Sequence, residues 1–477
     1  MKKISVITFV LISGGMISFT MPAAWSATGH TSRISGPFQS PMEVTGKCLS
    51  CHAEAATEVM KTTHWTWASE QIIPGKGKVI RGKKNAINNF CISINGNWSR
   101  CTSCHVGYGW KDADFDFSDP SRVDCLICHD TTGTYKKYPT GAGMPYGYVK
   151  KKTDKVVDLV MVARNVGKPS RNNCIACHGF GGGGNNVKHG DIDSSMILST
   201  RQHDVHMGSN GANFTCQRCH KTQDHVITGN AMVVSPGGKD HIGCANGDCH
   251  ETDPHFESLL NDHTRRVACQ TCHIPAFAKE IPTKMEWDWS QAGNDHIESP
   301  TDKHGKKTYA KKKGSFVWGK NVTPVYKWYN GTAGAYLPGD KIDPTKVTRL
   351  NWPIGDRSDE KARIYPFKAH RGKQIYDTEN YYLITPKLFG SETDPVAYWV
   401  NYDWQKAAKA GMRISGLPYS GKYGFAPTIM FWRINHMVVP AAKALDCLDC
   451  HGDNGRLDWK ALGYEADPMR MKLAMSY

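Results

Sequence analysis

Six pentapeptides share the spacing Cys-x-x-Cys-His: Cys48, Cys51 and His52; Cys101, Cys104 and His105; Cys125, Cys128 and His129; Cys174, Cys177 and His178; Cys216, Cys219 and His220; Cys269, Cys272 and His273. A further regular copy, Cys447, Cys450 and His451, stands alone near the end of the sequence. Cys244, Cys249 and His250 form a stretched version. At this spacing two thiols add across the vinyl groups of one porphyrin while the adjacent imidazole reaches its iron. The copies predict eight covalently bound hemes c, each with its iron. Structural zinc sites pair two Cys-x-x-Cys units without a His after each second Cys, so the repeated pentapeptide excludes zinc. Of the 17 cysteines, the eight motifs take all but Cys91. Read instead as a disulfide loop, the stretched copy would strand a well-placed His250.

Axial ligands decide whether a heme carries electrons or does chemistry: two imidazoles close the iron, and an open position makes a catalyst. Of 21 histidines, 13 lie outside the motifs. Position relative to the motifs selects seven of these as distal ligands. His263 and His436 lie on approach segments, read as helices, just before Cys269 and Cys447. His225 and His255 each follow a motif His closely, His189 and His206 lie between motifs, and His64 follows the first motif. His203, His241 and His370 are reserves, and His30, His296 and His304 fall in polar loops. Motif histidines expected on iron are His52, His129, His178, His220, His250, His273 and His451. One iron is left short of a histidine pair.

The elements that position these groups are less plainly written. Residues 1–26 read as a secretory signal peptide: Lys2 and Lys3, an apolar run from Ile4 to Phe19, then small residues from Ala23 to Ala27. As a retained anchor the run is short, and Ser13-Gly14-Gly15 interrupts it. Export to the periplasm, with no membrane span in the mature chain, is the expectation. Residues 27–273 form a region whose connections are rich in Gly, Asn, Asp and Lys, and in which porphyrins supply the apolar volume. Residues 274–446 hold no motif but eight tryptophans, read as a wrapping region or, more sharply, as the lining of an anion access funnel. Residues 447–477 bring the eighth motif and a tail. The expected fold is mainly α with extensive loops, the polypeptide wrapped around a stack of eight c-type hemes. Gly179 to Gly184 lacks the Gly-Lys-Ser/Thr ending of a phosphate loop and reads as close backbone approach to a porphyrin or ligand.

The formal charge of +15 falls to roughly +7 once the heme propionates are counted. No nucleic-acid motif accompanies it. A small anionic substrate and a redox partner, such as a periplasmic or membrane-anchored cytochrome c, fit better.

The motif order, the segment Val187-Lys188-His189-Gly190-Asp191 and the run Val267 to Pro275 resemble the octaheme tetrathionate reductase family of multiheme cytochromes c. That family is related to hydroxylamine oxidoreductase and pentaheme nitrite reductase. The resemblance covers essentially the whole mature chain. It implies seven bis-histidine hemes and one active-site heme, the second in order, ligated by a lysine amine, although its motif ends in His105. Lys188 matches that ligand by its place in the segment, and His189 would then serve another heme. Where the family pattern has an acid three residues before the lysine, this chain has Asn185. Cys91, the thiol left over by the cysteine count, is a candidate nucleophile toward the S–S bond or equally a sulfur group lining the pocket, with Asn88 nearby, against the alternative of an inert buried thiol. The resemblance implies two-electron reduction of tetrathionate to thiosulfate, with nitrite and hydroxylamine as further substrates. The competing class is a non-enzymatic multiheme electron carrier. Hydroxylamine oxidation would need a tyrosine cross-linked to a heme, and the sequence identifies none.

Overall fold

The structure is a computed structural model and describes residues 28–149, 155–231, 242–245 and 249–470. The signal-peptide reading, His241 and the last seven residues of the tail, 471–477, lie outside these residues. Helix accounts for 23% and strand for 19% of the chain, so the mainly α expectation does not hold. The extensive loops do.

Most motifs close a short helical turn. An α-helix places residues i, i+3 and i+4 on one face, which is the arrangement two thiols and an imidazole need to meet one porphyrin. Caps set several of these turns. Ser170 and Asn173 form a capping box that starts the helix Arg171–His178. Asp446 accepts from the amides of Leu448 and Asp449 at the start of Cys447–Cys450. Pro41 and the Ser40 cap begin Pro41–Leu49, which carries Cys48.

The region without motifs builds a nine-stranded sheet: β1 (Thr283–Asp288), β2 (Tyr309–Ala310), β3 (Gly314–Gly319), β4 (Val325–Tyr329), β5 (Ala333–Ala335), β6 (Thr348–Pro353), β7 (Arg363–Asp377), β8 (Tyr382–Leu383) and β9 (Tyr423–Arg433). The spatial order is β2-β3-β1-β7-β9-β6-β5, with β4 and β8 also paired to β7. Strand β7 pairs antiparallel with β9 from Phe367 opposite Arg433 to Asp377 opposite Tyr423. Its sequence alternates Phe367, Ala369 and Ile375 on one side with Lys368, His370, Gly372 and Gln374 on the other, the two-residue period of a strand. The approach segment carrying His436, expected as a helix, is therefore strand β9 and then loop. β-Branched and aromatic residues (Thr428, Ile429, Phe431, Trp432) favour the pleated surface. Trp404–Ile414 is the one long helix here, capped by Asp403.

The largest apolar cluster sits on this sheet. It joins Trp287, Trp289, Met430 and Trp432 to Ile87, Phe90, Ile92 and Val187 from the motif-bearing region. The sheet is thus a platform against which two N-terminal segments are packed, as well as a wrapping.

Candidate functional site

Seven pairs of imidazoles recur at one spacing. Ring centres lie 6.3 Å apart for His30 and His52, 6.1 Å for His64 and His178, and 6.3 Å for His129 and His225. They lie 6.2 Å apart for His206 and His250, 6.3 Å for His220 and His436, 6.1 Å for His255 and His273, and 6.4 Å for His263 and His451. Each pair joins one motif histidine to one from elsewhere. Two imidazole–metal bonds of about 2.0 Å, plus about 1.1 Å from nitrogen to ring centre at each end, span about 6.2 Å. The residues therefore fit a six-coordinate iron in seven places. His250 of the stretched motif is among them.

Six of the seven expected distal histidines stand opposite a motif histidine. The exception is His189, whose ring lies edge-on to Trp432 at 5.2 Å. The seventh partner is His30, assigned from sequence to a polar loop; it lies in the short helix Thr28–Thr31 that opens the described residues and reaches His52. His203 is turned to Ser195 and Met196, His370 to Asn89, and His296 is exposed.

Several ring orientations are set by hydrogen bonds at Nδ1. Glu58 meets His225 at 2.7 Å, Asp467 meets His451 at 2.6 Å and Asp191 meets His436 at 3.0 Å. The carbonyls of Gly167, Thr228 and Leu259 accept from His129, His220 and His263. Such contacts leave Nε2 free to bind metal.

His105 departs from this pattern. It is fully buried among Trp65, Trp67, Trp110, Phe115 and Phe117, with ring centres 4.8–6.2 Å away. Its Nε2 lies 2.7 Å from the Trp65 carbonyl, which can only accept, so the proton is on Nε2 and that nitrogen is not presented to a metal. Burial pushes the imidazole down to about 3. Its backbone oxygen accepts from Lys137 at 2.5 Å, and Lys137 pairs at 2.9 Å with buried Asp124. Tyr108 and Tyr135 also donate to Asp124. Gly107 permits the packing, since a Cβ there would lie 2.9 Å from the His105 ring. The imidazole of the second motif is thus held off its usual ligand position.

Lys188 and Cys91 lie beside that motif. The Lys188 amine interacts electrostatically with Cys104, and Cys91 with Cys101. Burial, then the charge of Lys83, lowers the Lys188 amine to about 7, within reach of the neutral form that can bind metal. The glycine run separates the two candidates. Cys91 Sγ contacts the Gly182 oxygen at 3.9 Å, and a Cβ on Gly181 would lie 3.0 Å from the Lys188 side chain. Gly182 and Gly183 have φ of +78° and +92°, a conformation that glycine adopts without strain. Asn88 shapes the turn that carries Cys91: its Oδ1 accepts from Phe90 N at 2.9 Å and its backbone N–H donates to Ile92 O. Asn185 bonds Ser194 through both side-chain atoms.

Both loops are seated on the polar side of β7. Lys368 Nζ contacts the oxygens of Val187 at 2.9 Å and Lys188 at 3.0 Å, and Thr283 Oγ1 at 2.7 Å. Thr283 spends its own proton on Asn186 O, so the contacts of Lys368 are donations, while burial pushes its amine well below the usual lysine range. Asn89 bonds His370 at two points, and Gln374 Nε2 donates to Asn88 O. Sequence reading missed Lys368, Asn89 and Gln374. The alternation of polar residues along a strand otherwise fit for burial was their only signal.

A family model described as cytochrome c bacterial matches residues 284–454. The crystal structure of octaheme cytochrome c from Shewanella oneidensis is 56% identical, with coverage of 93% of this chain and 98% of that one and a TM-score of 0.86. An uncharacterized protein from Archaeoglobus fulgidus is 24% identical over 227 residues, 39% of this chain and 75% of its own length.

Proposed function

The chain belongs to the octaheme cytochrome c family and carries multiple covalently bound c-type hemes with iron, and from that premise we propose that it is a periplasmic reductase whose second heme is the active site. The observation that carries this reading is the asymmetry among the motifs. Seven motif histidines face a second imidazole, whereas His105 is locked in an aromatic cage beside Lys188 and Cys91. Lys188 would hold one side of that iron.

The other hemes supply electrons. Sulfurs of Cys48 and Cys125, Cys104 and Cys177, Cys174 and Cys216, and Cys244 and Cys269 are in contact. Cys128 with Cys174, Cys219 with Cys249, and Cys272 with Cys450 are electrostatic neighbours. These contacts support a path through motifs one, three, four, five, six, seven and eight, with the second branching from the fourth. No helix among the described residues is long and apolar enough to cross a membrane.

The substrate we assign is tetrathionate. The Cys91 thiolate attacks an inner sulfur, the central S–S bond breaks, and one thiosulfate leaves. Cys91 then bears a disulfide to the remaining S–SO3 unit; two electrons cleave that bond, restoring the thiolate and releasing the second thiosulfate. Gly182 and the Asn88 turn hold the thiol in place. An open iron position also suits nitrite and hydroxylamine as electron acceptors.

The test is oxidation of a reduced viologen dye by the purified holoprotein with tetrathionate, nitrite or hydroxylamine offered separately. Turnover with tetrathionate supports the assignment. Turnover only with nitrite or hydroxylamine keeps the reductase and changes its substrate, and no turnover with any of them leaves an electron carrier.

A further inference from the structure

A cavity of about 580 Å³ opens beside the glycine run, between strand β1 and the segment leading into β3. Six lysines line it, Lys284, Lys306, Lys307, Lys311, Lys312 and Lys313, and no carboxylate does. Among them only Lys311 has an acidic partner among the described residues, Asp295 at 2.5 Å. Four of the others stand within a few residues of it on the rim. Charges so close repel one another, and a bound anion relieves that repulsion.

Lys284 gives the cavity its floor. It is 4% exposed, and its side chain has no hydrogen-bond acceptor and no acidic partner among the described residues. Instead its Nζ stands 3.2 Å from the ring centre of Phe316, 3.8 Å from Trp287 and 4.9 Å from Trp318. Burial, then the charge of Lys313, pushes its amine well below the usual lysine range, which an anion beside it would reverse; the aromatic faces supply no hydrogen-bond acceptor, so its donors remain available. The wall is shared with the candidate active site. A Cβ on Gly183 would lie 3.8 Å from Lys313 Nζ and 3.9 Å from Cys91 Sγ.

We propose that this cavity is a binding site for a divalent sulfur oxyanion, held by Lys284 at the floor and by Lys306 to Lys313 at the rim, from which the anion is presented to Cys91. The inference deepens the tetrathionate reading and rests on it for the identity of the anion. The exposed rim lysines act at a distance and are screened by salt. Lys284 acts only on an anion that has already lost water. The two groups therefore separate kinetically, rim charges raising the rate of capture and Lys284 slowing release.

The experiment titrates thiosulfate into the oxidised holoprotein by calorimetry and measures tetrathionate KM and kcat alongside. Lys284→Met is expected to weaken thiosulfate binding and raise KM by about tenfold or more. The pair Lys306→Gln and Lys307→Gln is expected to weaken binding about threefold at low salt, with the difference gone at high salt. If Lys284→Met loses heme or fails to fold, Lys312→Gln with Lys313→Gln takes its place, with the same direction expected. Thiosulfate binding that is unchanged in the variants overturns the site even if tetrathionate turnover persists. Binding that depends on these lysines without any tetrathionate turnover upholds the site and removes the reading it rests on.

Discussion

Lys368 donates from Nζ to the backbone oxygen of Lys188, 3.0 Å away, and so fixes the peptide from which the proposed iron ligand extends. Lys368→Met keeps the stem and removes three donated bonds, leaving buried acceptors that cost about 1–3 kcal/mol each. The expected result is full heme content, a changed paramagnetic resonance signature for one heme, and a kcat loss larger than the KM change. An unchanged signature would mean that Lys188 is positioned without it.

Lys188→Ala should strip the second heme of its one protein axial ligand and leave the seven histidine-paired hemes low-spin, because no other imidazole stands ready beside Cys104. Resonance Raman marker bands read coordination and spin directly. A spectrum identical to that of the unaltered protein would reject Lys188 as a ligand and reopen His105.

Cys91→Ala should lower tetrathionate turnover by at least about 10², the scale expected for loss of a reacting group, while nitrite or hydroxylamine reduction survives. Comparing the three acceptors in one preparation makes the test internal. Equal loss for all three would show that the substitution collapses the pocket, and no loss would make Cys91 a bystander.

Asp124 and Lys137 form a pair 5% or less exposed on both sides, and two tyrosines donate to the carboxylate. Removing one partner from such a pair costs about 3–5 kcal/mol. Asp124→Ala should therefore lower the denaturant midpoint and free His105 from its cage, with a spectral change at the second heme. A change in stability alone would separate the network from ligation.

Asp377 offers a pH signature away from any heme. Burial opposes its charge, but donors from Ser420 and Asn380 prevail and hold it down to about 2. A carboxylate depressed in the folded state stabilises above its unfolded value of about 3.8 and loses that effect as pH falls toward 2. Asp377→Asn should thus be less stable than wild type at pH 6, and the gap in denaturant midpoints should close between about pH 4 and pH 2. A gap independent of pH would assign the effect to packing.

The heme-attachment sites were legible because the covalent chemistry fixes a local spacing, and one stretched copy was recovered by the cysteine count. Distal histidines were legible only where they sit close to a motif or on an approach segment. His30 and His189 show the limit: which imidazole crosses to which porphyrin depends on the path of the chain, and neighbours in an extended segment face opposite ways. The sheet was underestimated because Trp and Tyr suit both a wrapping loop and a strand. On β7 a buried Lys, His and Gln at alternate positions was the sign that a strand was supporting something polar. Cys91 came from the cysteine count and Lys188 from resemblance, and their common seat came only from structure.

The order of synthesis gives that seat a further meaning. Cys91, Lys188 and seven attachment motifs all precede Arg363–Asp377 in the chain. As the chain is made, most attachment motifs emerge while the thiol loop and the lysine segment still lack the strand that aligns them. A chain truncated before that strand would thus hold seven attachment motifs without the support that seats the thiol loop and the lysine segment.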